Sequence, residues 1–260
     1  MRLLLTLTII LAFCRPVGTI AQKSPPPTAP ISAAQVLEKH FAAVGGLENL
    51  RALQTFDAHG VMGPPGSTNN LYIWADFNFY YRAPAIDVFQ LQVKSEGLAW
   101  CGHNQGKPFV QQAGQYRLGG VNAASLPVLE QSWLGLIDSD FDQSYKKVQL
   151  VGLSGVSGNW AYVLMFTPKA GDPQVRYYDC KNFLMVRMDF IQRFQEVKNG
   201  PSYMYKIETD YSDYQVFDGI SLPRRIEAIA SFAGGNWQTE LQVEKMHTNA
   251  PISDSVFHPE

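Results

Sequence analysis

A chain of 260 residues, 46% hydrophobic, has room for one large core or two small ones, and its 17% of charged residues is low for a soluble protein. The formal net charge is −2 and no basic cluster occurs, which leaves nothing for a nucleic acid to bind.

The chain opens as a secretory signal: Arg2 precedes an apolar run from Leu3 to Phe13, and Thr19-Ile20-Ala21 supplies a cleavage site, so residues 1–21 are expected to be removed on export. Losing Arg2 and Arg15, and no acid, takes the net charge from −2 to −4. The apolar run is short of the roughly 20 residues that span a bilayer, and no later segment reaches that length, so no transmembrane segment is expected in the mature form. Cys14 ends a Leu-Ala-Phe-Cys stretch similar to a lipobox, but bulky Phe13 stands where a small residue belongs, so ordinary cleavage is favoured over acylation at Cys14. Residues 22–31, rich in proline, read as an exposed linker, and residues 32–260 as a single domain.

Ser32 with Gln35 three positions on predicts a capped helix with Val36, Leu37, His40, Phe41 and Val44 on one face, stopped by Gly45-Gly46. Another turn or two of helix is expected from Leu47 to Leu53. Strand patterns follow at 55–62, 71–81 and 86–93. Residues 97–112 read as a hairpin turning between His103 and Gly106. The stretch 125–138 predicts a second long helix, with Leu129, Trp133, Leu136 and Ile137 as its stripe. Alternation then resumes in six further runs, among them 182–190, 203–211 and 237–247, and Asp218-Gly219 marks a two-residue hairpin turn. About ten strands with two or three helices, not alternating with them, predict an α+β, mainly β fold. Its expected form is a curved antiparallel sheet with the helices packed on one side.

Catalytic motifs do not emerge. The five histidines are scattered at 40, 59, 103, 247 and 258 with no helical metal spacing, and Cys101-Gly102-His103, the nearest approach to a ligand pair, reads as a surface turn. Asp138, Asp140 and Asp142 lack the glycine and glutamate of a calcium loop and read as a solvated acidic loop. Ser154 and Ser157 in Gly-Leu-Ser-Gly-Val-Ser-Gly-Asn miss the nucleophile elbow by one residue each. No catalytic residue, metal or cofactor is therefore expected. Cys101 and Cys180 are a candidate disulfide in an oxidising compartment, against the alternative of two separate thiols.

The apolar strand faces outnumber the helices available to cover them. Phe77, Phe79 and Tyr81 read first as core beneath a helix; the sharper alternative is that part of this face lines a cavity, because two or three short helices are too few to cover about ten strands. The candidate lining is Leu71, Ile73, Phe77, Phe79, Tyr81, Leu184, Val186, Met188, Leu241 and Val243.

Four stretches carry a family resemblance that covers about residues 33–260. They are VLEKHFAAVGGLENLRALQTFDAHGVM, YYDCKNFLMVRMDF, a hairpin with Asp213, Tyr214, Asp218, Gly219 and Pro223, and a terminus with Asn249, Pro251, Ile252, Phe257 and Pro259. Together they resemble the outer-membrane lipoprotein-sorting, LolA-like family. The resemblance implies an incomplete β-barrel with helices as a lid and a concave apolar surface that accepts acyl chains. It further implies a non-enzymatic periplasmic carrier whose partner is an acyl lipid or lipoprotein, or alternatively an interaction or sensory module that docks another envelope protein. Arg82 stands nearest to the position of the family's lipid-responsive arginine. A secreted hydrolase would need a nucleophile or metal cluster assembled from distant residues.

Overall fold

The computed structural model describes residues 31–66, 74–83, 86–93, 97–104, 107–112, 126–195, 202–232 and 235–257. Helix α1 (Ala33–Ala43) begins at its predicted box: Gln35 N–H donates to Ser32 Oγ at 3.2 Å and Ser32 N–H to Gln35 Oε1 at 2.9 Å. The chain leaves it through Gly45 and Gly46 and forms the short α2 (Leu47–Arg51).

Five strands follow: β1 (Thr55–Gly63), β2 (Ala75–Arg82), β3 (Ile86–Val93), β4 (Gly97–Asn104) and β5 (Lys107–Gln112). Helix α3 (Leu126–Ile137) and the single turn α4 (Phe141–Ser144) lead to β6 (Tyr145–Val156), β7 (Asn159–Pro168), β8 (Gln174–Asp179), β9 (Met185–Gln195), β10 (Ser202–Phe217), β11 (Ile220–Phe232) and β12 (Gly235–Thr248). A 3₁₀ turn, Asp254–Phe257, follows. All twelve strands join one antiparallel sheet in the order β5-β4-β3-β2-β1-β12-β11-β10-β9-β8-β7-β6. Two meanders, β1–β5 and β6–β12, thus meet at a central seam, where Phe56 pairs with Thr248 and Gly63 with Glu240. The sheet is open, with β5 and β6 as its edges.

Helix α3 lies on the inner face and packs against β3 and β4 of one wing and β9 of the other, which requires the sheet to curl around it. One apolar cluster accordingly draws Phe77, Phe79 and Phe89 from the first wing, Leu164, Met188 and Ile207 from the second, and Trp133 from the helix. A smaller cluster of Val88, Trp100 and Phe257 sits on the outer face, where the C-terminal segment crosses β3 and β4.

The Asp-Gly turn between β10 and β11 forms as expected, with φ of 47° at Asp218 and 86° at Gly219 and Phe217 paired with Ile220. Its tip seats the corner between α1 and α2. Ser221 N–H donates to the Val44 carbonyl at 2.9 Å, and a Cβ on Gly45 would lie 2.0 Å from the Gly219 carbonyl oxygen. Pro223 pairs with Tyr214 on β10 just before the β12 ladder starts at Arg225, so its missing N–H leaves no partner unpaired on that side.

Two sequence expectations are corrected here. Cys101 on β4 and Cys180 beyond β8 are free thiols, separated across the sheet by most of its strands. Arg82 points to the outer face: its guanidinium binds Asp254 Oδ1 at 2.5 Å and the Ile252 carbonyl at 2.7 Å and lies over the Phe257 ring, so it fastens the C-terminal segment.

Candidate functional site

The inner face collects most of the predicted lining residues. Phe77 and Phe79 on β2, Met188 on β9, and Leu241 and Val243 on β12 belong to one cluster, and none is more than 1% exposed. What covers them is α3. The Trp133 ring stacks on Phe79 at 5.5 Å and 10°, with Phe56 at 5.9 Å and Phe77 at 6.1 Å. These residues are core in the closed protein. Gly135 brings the helix onto β9: a Cβ there would meet Met188 Sδ at 2.7 Å. Tyr81 and Leu184 are half-buried at the margin of the same cluster. Leu71 and Ile73 fall outside the described residues.

Val186 does not join them. The β8–β9 register shifts between Tyr177 and Tyr178, and the extra residue turns Val186 to the outer face, against Val156, Val163, Val175 and Tyr177.

Helix α3 is also held by polar contacts along its length. Tyr211 OH donates to the Ser132 carbonyl at 2.9 Å, and Ser132 Oγ meets Thr209 Oγ1 at 3.0 Å. At its C-terminal end the fully buried Arg176 reaches the Gly135 carbonyl at 3.5 Å, Asp138 Oδ2 at 3.0 Å and Tyr145 OH at 2.6 Å, and lies over the Phe166 ring. A buried guanidinium demands such partners, and a helix C-terminus welcomes the positive charge. Asp138 is therefore an arginine partner rather than part of a solvated acidic loop.

Towards the other end, Glu130 turns onto β3 and β4. His103 Nδ1 touches Glu130 Oε1 and lies 3.4 Å from Asp87 Oδ1, while the Cys101 thiol donates to Glu130 Oε2 at 3.4 Å. Asp87 and His103 are opposite partners in the β3–β4 ladder, and Cys101 shares the inner face two residues before His103. Cys101-Gly102-His103 is thus part of strand β4, not a surface turn. Hydrogen bonding to Asp87 and Glu130 raises the pKa of His103 to about 10, and burial raises that of Glu130 to about 7. Burial, together with the Glu130 charge, pushes the Cys101 thiol well up. His103 Nδ1 and Glu130 Oε1 are buried in contact with each other, and Asp87 Oδ2 is buried with no hydrogen-bond partner.

A second cluster lies on the outer face, where Asp57 Oδ1 accepts from His59 Nε2 at 2.7 Å and from His247 Nδ1 at 2.8 Å, and His59 Nδ1 meets Asn78 Oδ1 at 2.6 Å. Asp57, His59 and His247, like Asp87, His103 and Glu130, offer three ligand atoms within 4.8 Å of one another. Sequence reasoning missed both sets because strand pairing assembles them. Glu130 did leave a signal: it is the one charge in a twelve-residue apolar helix, LPVLEQSWLGLI.

No protein-family model matches the sequence, and no curated protein matches it. Solved structures do. A LolA superfamily protein from Nitrosomonas europaea superposes with a TM-score of 0.50 at 14% identity, covering 88% of this chain and 98% of that one. A DUF1329 family protein from Desulfovibrio piger gives 0.45 at 15% identity, covering 85% and 96%. An outer membrane lipoprotein-sorting protein domain from Vibrio parahaemolyticus gives 0.45 at 9%, covering 87% and 95%. At such identity the likeness is one of fold: an open antiparallel sheet curled about its helices, which is the LolA-like fold.

Proposed function

We propose that the chain is an exported, periplasmic protein that receives an acyl chain, from a lipid or a lipidated protein, on the inner face of the sheet, with α3 as the element that gives way. One observation carries this reading: apolar residues from both wings converge on a face whose centre is covered by a single twelve-residue helix. Each acyl methylene removed from water contributes about 0.8 kcal/mol, so a long chain can offset the contacts α3 gives up. The polar contacts of Glu130, Ser132 and Gly135 with the sheet define the closed state. The role is binding rather than catalysis. Cys101 is the thiol nearest a titratable cluster, and its raised pKa keeps it protonated and unreactive.

Native mass spectrometry of protein from an envelope fraction is expected to show one acyl adduct. The delipidated protein should take up a fluorescent long-chain fatty acid, several-fold more weakly when half-buried Leu184 becomes Asp. A folded protein with no adduct and no uptake would overturn the proposal.

A second reading rests on the edge strand β6, where Val151 is 53% and Leu153 38% exposed. An envelope partner adding a strand there would need no ligand inside. Cross-links mapping to β6, together with an empty interior, would favour it.

A further inference from the structure

The chemistry of Asp87, His103 and Glu130 exceeds what closing a helix onto a sheet requires. Two carboxylates and an imidazole, from β3, β4 and α3, aim at one buried point. The carboxylate side chains are only 5% and 4% exposed; His103 Nδ1 and Glu130 Oε1 are buried against each other, and Asp87 Oδ2 is buried with no hydrogen-bond partner. Orphaned buried donors and acceptors are rare in native proteins, and unpaired carboxylates rarer. The outer cluster is different: there the Asp57 oxygen is satisfied by two imidazoles with nothing added.

We propose that Asp87, His103 and Glu130 bind a zinc ion that clamps α3 to β3 and β4. Ligand atoms already within 4.8 Å of one another can close on one ion at about 2.0 Å for nitrogen and about 2.1 Å for oxygen. A divalent ion balances both carboxylates, and the mixed nitrogen and oxygen set suits zinc, whereas calcium and magnesium want oxygen alone in higher number. The Cys101 thiol, donating to the other Glu130 oxygen, orients that carboxylate from behind. A water would complete the tetrahedron. The clamp would hold the same closed position of α3 that the proposed acyl binding must open, and zinc binding is read out with no lipid present.

The test uses the full mature chain, loaded with zinc chloride and dialysed against metal-free buffer. About one zinc per chain is expected by elemental analysis, falling to background in Glu130→Gln and in His103→Ala but retained in His59→Ala. Amide exchange in the peptide 126–137 should slow on zinc addition in the wild type and not in Glu130→Gln. Should either variant fail to fold, cobalt loading of the wild type serves instead, with the strong visible bands of a tetrahedral ion expected. Zinc-free wild type, zinc lost in His59→Ala but kept in Glu130→Gln, unchanged α3 exchange in loaded protein, or only the faint spectrum of hydrated cobalt would each overturn the assignment.

Discussion

His40 sits on α1 with its ring edge-on to Tyr178 at 4.7 Å and its Nδ1 at 2.9 Å from the Phe183 carbonyl, a bond that ties the helix to the turn before β9. Burial, reinforced by the Arg176 charge, lowers its pKa from 6.5 to about 4, against the opposing pull of that carbonyl. The folded state therefore prefers the neutral ring. Its stability is intact above pH 6.5 and falls as the pH drops towards 4, because the unfolded chain takes up the proton first. Between pH 7 and pH 5 this one ring should cost about 2 kcal/mol. Urea titrations of the wild type and His40→Gln at both pH values check it: the difference between the two proteins should change by about that amount. A constant difference would show that the ring does not titrate this way. The sequence placed His40 on the helix's apolar face, but its depressed pKa depends on Phe183 and Arg176, more than 130 positions away.

At the scale of elements, α3 decides how the protein behaves, and its C-terminal anchor can be tested directly. Arg176→Met leaves Asp138 without its guanidinium and should destabilise by about 3–5 kcal/mol in chemical denaturation. Adding Asp138→Leu should recover part of that loss, and simple additivity would mean the two groups are uncoupled. Most elements were legible in the sequence. The Ser32 cap, the alternation in β2 and β12 and the Asp-Gly turn are local signals, and local physics settles them. Two kinds of information were not local. A bulge between β8 and β9 turned Val186 outward, which period-two counting along one strand cannot register. Cys101-Gly102-His103 read as a surface turn, yet Gly102 is needed within the strand because a Cβ there would lie 2.0 Å from the Asp87 carbonyl oxygen of the neighbouring strand.

For the whole molecule, a single cluster spanning both wings implies one cooperative unit. Phe89→Ala in the first wing and Phe166→Ala in the second, both fully buried, should each cost about 3–5 kcal/mol and shift the same single denaturation transition. Two separable transitions would show that the wings fold apart. The curled sheet could be anticipated from the surplus of apolar strand faces. How the chain's own helix fills that curl could not, because helix placement depends on contacts among distant strands. One consequence lies in the central seam. Residues 55–63 hydrogen-bond to residues 240–248, so the pair of strands that joins the two wings is formed by the first and the last strand of the sheet in chain order. The seam between the wings cannot form until residues 240–248 have been synthesised, and closing so long a loop is slow.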